Sequence, residues 1–210
     1  MKRRAGLAAA VALIAALAAC GEDHPSATPA AAVAAPAAAH DMDHTMRDKD
    51  RAAAMLATAG FQDVATAEAA GYASSLDTLG CFQDPARGGM GLHYINQSLL
   101  DANLDIAKPE ALVYELDAAG QITGLVAHEY IVPVDAWTSK RPPRLFGMEL
   151  HRHPTLPLWV LHTWLWKENP TGVFADWNPA VRLCPAGVPI FGQDLPAPAT
   201  DTSTSTTGPR

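Results

Sequence analysis

Charge is scarce in this chain, and cysteine scarcer still. Charged residues make up 18% of the 210 positions, and there are 3 cysteines. Acidic side chains outnumber basic ones, 22 to 15. The chain therefore offers no basic field of the kind that holds nucleic acid or an anionic lipid surface. The familiar catalytic signatures are missing as well: no Gly-x-Ser-x-Gly elbow, no phosphate loop and no His-Glu-x-x-His. The glycine-rich run Gly88-Gly89-Met90-Gly91 leads into a strand pattern, not a helix. That excludes a dinucleotide fingerprint and suits a tight entry into a strand.

What is present begins with a leader. Lys2, Arg3 and Arg4 precede an apolar run over residues 5–16. The run is too short to span a bilayer and has the layout of a secretory signal. It ends in Leu17-Ala18-Ala19-Cys20, which resembles the lipobox of bacterial lipoproteins. The resemblance implies cleavage after residue 19, lipidation of Cys20 and a membrane anchor made of acyl chains. Gly21 stands where an aspartate marks inner-membrane retention, so the expected address is the outer membrane, facing the periplasm. Loss of the three leader cations takes the formal charge from −7 to −10.

Composition divides the rest. Residues 20–47 are rich in Ala, Pro, Ser and Thr and read as a disordered tether, as do residues 194–210 as a tail. The tether carries His40, Met42, His44 and Met46 among carboxylates, a donor set that suits copper and also fits a plain solvated linker. Residues 48–193 are a good length for one domain. With Cys20 assigned to lipid, Cys81 and Cys184 remain, and two cysteines in an oxidising compartment are expected to pair.

Within the domain, two short helices are expected first. One covers residues 50–59 and stops at Gly60; the other starts at Asp63 and stops at Gly71. Strand patterns follow at 91–97, 111–117 and 122–132, with a tight turn at 118–120 making a hairpin of the last two. The densest stretch is residues 156–170, which holds three of the five tryptophans and His162. It reads as one buried strand. The fold class implied is mainly β (α+β): a small curved antiparallel sheet or barrel with one or two N-terminal helices.

Strict alternation gives four of these strands one potential ligand each on an otherwise apolar face. His93 lies beside Ile95, Glu115 beside Val113, Glu129 between Ala127 and Ile131, and His162 between Val160 and Trp164. Two imidazoles and two carboxylates converging in a dry interior would hold a divalent transition metal such as zinc, copper, iron or manganese. The same inventory fits a hydrogen-bonded polar network completed by Tyr94 or Tyr114, because a buried polar group needs a partner of some kind. His128 neighbours Glu129 but points the other way, and His151 and His153 form a further pair in a proline-rich loop.

The segments 89–96 (GMGLHYIN), 110–115 (EALVYE), 125–130 (LVAHEY) and 161–179 (LHTWLWKENPTGVFADWNP) resemble a family of secreted bacterial proteins. The resemblance covers most of the domain and implies a secreted protein; it implies no activity, substrate or cofactor. Three functions fit the residues. The first is a lipid-anchored envelope domain that carries or senses a metal. The second is a cupin-like metal-dependent enzyme acting on a small molecule. The third is a metal-free barrel that binds an apolar ligand or a protein partner.

Overall fold

The computed structural model describes residues 46–193. The leader (residues 1–19), Cys20, the tail (residues 194–210) and all of the tether's His/Met patch except Met46 lie outside the described residues.

The chain opens with α1 (Asp48–Thr58), whose first turn carries Asp48 and Asp50, the charge sign that suits a helix N-terminus. A 3-10 turn (Ala59–Gln62) leads to α2 (Val64–Ala69), capped by the Asp63 side chain accepting from the Ala65 amide. Short strands β1 (Ala73–Ser74) and β2 (Cys81–Asp84) come next. The long strands follow: β3 (Gly88–Ile95), β4 (Ala111–Leu116) and β5 (Ile122–Pro133). A small hairpin, β6 (Arg144–Leu145) and β7 (Met148–Glu149), precedes β8 (His151–Arg152) and β9 (Leu158–Thr163). The two helices and β3, β4 and β5 thus begin and end close to where the sequence pattern puts them, whereas the short strands β1, β2, β6, β7 and β8 have no counterpart in it.

Seven strands form one antiparallel sheet in the order β1-β3-β4-β5-β9-β8, with β2 beside β1 on the same edge of β3. The sheet is open. The expected closure into a barrel does not occur, because each face finds another cover and the edge strands are too short to meet. One face carries Leu92, Tyr94, Leu112 and Tyr114. It is covered by Phe61, Val64 and Ala67 of the helical segment. Tyr114 turns its hydroxyl to the Phe61 carbonyl at 2.6 Å and Tyr130 to that of Ile106 at 2.8 Å, so burial leaves both phenols satisfied. Tyr114 therefore belongs to the helix side and takes no part in a polar network with Glu129. Met46 is buried with Ala54 and Leu165. It is the one residue of the His/Met patch expected at residues 40–46 that lies among the described residues.

The opposite face carries His93, Val113, Ala127, Glu129, Ile131, Val160 and His162. The register pairs His93 with Val113, Ala111 with Glu129, and Glu129 with His162. Two irregularities correct the simple alternation. Val126 is an extra residue on β5, since Val113 pairs with Ala127 while Tyr114 pairs with Leu125. The bulge flips Leu125 to the helix side, away from Glu129. The tryptophan run also fails to continue as one strand: β9 ends at Thr163. The freed carbonyl of Val126 accepts from the amides of Trp166 and Lys167 at 3.2 and 3.3 Å. Trp166 is thereby turned to the helix side, where its indole N–H donates to His128 Nε2 at 3.3 Å. His128 is wholly buried there beside Thr58 Oγ1 at 2.9 Å, and burial pushes its imidazole down to about 3.

Beyond β9 the chain crosses the start of β3 and then runs beside β2. A side chain at Gly88 would collide with the Asn178 carbonyl and one at Gly89 with that of Arg182, so the glycine run is what lets the crossing chain sit this close. Cys81 and Cys184 are disulfide-bonded across a separation of 103 residues. Cys81 also exchanges backbone hydrogen bonds with Pro189 and Phe191, and Phe191 stacks on Phe82 with ring centroids 4.4 Å apart.

Candidate metal centre

Glu129 sits in the middle of β5, with His162 directly opposite on β9. His93 is on β3, on the far side of β4 and two residues along the same face, since it pairs with Val113 while Glu129 pairs with Ala111. The two long side chains meet across β4. The result is a compact set: His93 Nε2 lies 3.3 Å from Glu129 Oε2, and His162 Nε2 lies 3.6 Å from Glu129 Oε1. All three ligand atoms fall within 4.8 Å of one another. Donors on bonds of about 2.1 Å around a tetrahedral ion stand about 3.4 Å apart, and the two imidazole–carboxylate separations match that value. All three side chains are buried, with residue exposures of 3%, 6% and 2% for His93, Glu129 and His162.

The fourth expected ligand is elsewhere. Glu115 shares the face, but it is four residues along β4 from Ala111, the partner of Glu129, which is about 13 Å of strand. Its carboxylate is taken by Lys167 Nζ at 2.7 and 2.9 Å and by the Arg182 amide at 2.9 Å. Burial pushes that carboxyl up, but Lys167 and the amide outweigh it and hold it below its ordinary value. Glu115 anchors the chain beyond β9; it does not belong to the His93, Glu129, His162 set.

A different carboxylate arrives in its place. Asp176 Oδ1 is 3.4 Å from His162 Nδ1 and 3.3 Å from His151 Nε2. It lies in a turn outside every strand, held by Trp164: the Trp164 amide donates to the Val173 carbonyl at 2.9 Å and its indole N–H to that of Ala175 at 2.6 Å. Strand alternation is blind to such a residue. The available signal was proximity of Trp164 to His162 in sequence, and it named no partner. A carboxylate on the far nitrogen of a ligating histidine fixes its tautomer and raises its basicity, the usual outer support of a bound metal.

The electrostatics follow the geometry. Burial and then the His162 charge push His93 down to about 3, which makes it a neutral imidazole with a lone pair to give. For His162, burial acts downward, but Glu129 and Asp176 outweigh it and raise the value. Burial raises Glu129 against the opposing pull of His162. At Asp176 burial also acts upward, and His151 and His162 together overcome it and hold the carboxyl well below its ordinary range. His162 Nδ1 and Nε2 and His93 Nδ1 are buried with no aligned hydrogen-bond partner. Such orphans cost roughly 1–3 kcal/mol each, and an ion on His162 Nε2 would satisfy that atom.

Beside the three ligands is a cavity of about 200 Å³. Its walls come from β2, β5, the loop after β8 and the C-terminal segment, and include Phe82, Ile131, Leu156 and Phe191. His151 and His153, expected as a loop pair, both reach it, His151 as the partner of Asp176. Three protein ligands would leave at least one position of a four-coordinate ion open, and His93, Glu129 and His162 all line the cavity. Among the described residues no helix is long and apolar enough to cross a membrane. Comparison with protein-family models, curated proteins and solved structures finds no match.

Proposed function

We propose that this domain binds a divalent transition metal through His93 Nε2, Glu129 and His162 Nε2, and that it does so as a lipid-anchored carrier or sensor of the bacterial cell envelope. The observation that carries the reading is the carboxylate of Glu129 buried between two imidazoles at ligand–ligand distances. A carboxylate in such a place is expensive without a cation. Zinc, copper, iron and manganese all accept this nitrogen and oxygen set. The envelope address, with Cys20 lipidated in the outer membrane and the domain facing the periplasm, is supported by the leader pattern, by the resemblance to secreted bacterial proteins and by the Cys81–Cys184 disulfide, a bond typical of oxidising compartments. A cupin-like metal-dependent enzyme is the second reading, favoured by the cavity at the open coordination position.

Elemental analysis of the purified protein tests the centre. One equivalent of metal is expected in the wild type and in Glu115→Gln, and a loss of at least tenfold in affinity in His93→Ala and His162→Ala with the fold retained by circular dichroism. Equal metal content in all four proteins would end the proposal. The anchor is tested separately: Cys20→Ala should release the protein from the membrane fraction, and an unchanged distribution would count against lipidation.

A further inference from the structure

The cavity above the three ligands has polar and apolar walls. Its polar groups include His93, Glu129 and His162 and, with them, His153. The Nδ1 of His153 accepts from the amides of Thr155 at 3.2 Å and Leu156 at 3.0 Å. Its ring proton therefore sits on Nε2, and His153 enters the cavity wall as a donor. A divalent ion with one carboxylate and two neutral imidazoles keeps one positive charge. The Asp176 carboxylate lies on the Nδ1 side of His162, away from the ligand nitrogen, where it faces His151 as well. Arg87 lies at the cavity wall over the Trp177 ring, but its guanidinium is paired with Asp84 at 2.7 Å, so the head group is left to the ion and to His153. The apolar wall is formed by Ile95, Ile131, Leu156, Leu158 and the stacked pair Phe82 and Phe191, with the Phe82 ring 4.6 Å from that of His93. A volume of about 200 Å³ falls below the range of pockets for drug-sized ligands, which limits the occupant to a short chain or a single ring.

From this juxtaposition we infer that the cavity takes a small amphipathic anion, an aliphatic or aromatic carboxylate whose head group completes the coordination of the metal while its apolar tail fills the space between Ile131, Leu156 and Phe191. The inference rests on the metal reading above. It deepens it by naming the class of ligand the centre meets.

The test uses protein loaded with Co2+, whose visible absorption reports a change of coordination. Acetate, hexanoate and hexan-1-ol are titrated in turn. Hexanoate is expected to change the spectrum at a concentration roughly 10- to 100-fold lower than acetate, as burial of its extra methylenes requires, and hexan-1-ol to act more weakly than hexanoate. In Leu156→Lys the Co2+ content should stay and the advantage of hexanoate over acetate should fall to less than threefold. Bound Co2+ with no preference for hexanoate over acetate would overturn the tail assignment while leaving the metal reading standing. Hexan-1-ol matching hexanoate would overturn the carboxylate head group. Failure to bind Co2+ at all would take the metal reading down first, and this inference with it.

Discussion

Asp176 is the residue on which the centre's quality depends, although it need not touch the ion. Its Oδ1 stands 3.4 Å behind His162 Nδ1 and 3.3 Å from His151 Nε2, within ion-pair range but not aligned as a hydrogen bond. Replacing its carboxylate by an amide removes the charge that favours a metal-bearing imidazole and permits the wrong tautomer. Asp176→Asn is therefore expected to weaken metal binding about 10- to 100-fold, with less than ~1 kcal/mol change in stability because the position is half-exposed. Competition with a chromophoric chelator measures the first and urea denaturation the second. An affinity equal to wild type would show that His162 is oriented by the strand alone.

At the scale of elements, the join between β4 and β5 sets a pH dependence. β4 begins at Ala111, whose partner is Glu129, so the Ile131 amide lies past the end of the pairing. Glu110 closes this gap: its buried carboxyl accepts from the Ile131 amide at 2.9 Å. Burial pushes that carboxyl up to about 8 from an ordinary value of 4.5. The folded state thus holds a proton that the unfolded chain gives up, and stability falls as pH rises from 4.5 through about 8. Glu110→Gln, which keeps an acceptor and has no proton to lose, should remove that fall. Relative to wild type it should gain ~2 kcal/mol or more between pH 5 and pH 9 by urea midpoints, and parallel curves would refute the assignment. The same pair of strands shows what was readable beforehand. Alternation in period two placed His93, Glu129 and His162 on one face because every strand between them is regular there. It failed at Leu125 and Trp166, where one inserted residue, Val126, reverses the phase and its carbonyl draws the chain after β9 across to the other side. Glu115 was on the correct face and too far along it, since periodicity reports a side and not a position. Asp176 comes from a turn, and so do Leu156 and Phe191 of the cavity wall, where sequence carries no period at all.

Over the whole molecule, the C-terminal segment is held by few elements of regular structure and depends on the disulfide. Closing a loop of about 100 residues is worth up to about 4.7 kcal/mol in chain entropy. Cys184→Ser is expected to cost about 2–5 kcal/mol, read from thermal or urea unfolding, and to leave the β3–β4–β5–β9 ladder in place. A loss below ~1 kcal/mol would mean that the stacking of Phe191 on Phe82 and the backbone bonds of Cys81 hold the segment by themselves. The three ligands belong to the ladder, and one side of the chamber over them belongs to the segment that the disulfide fastens. In a reducing milieu the chain can assemble its donors before it has a roof.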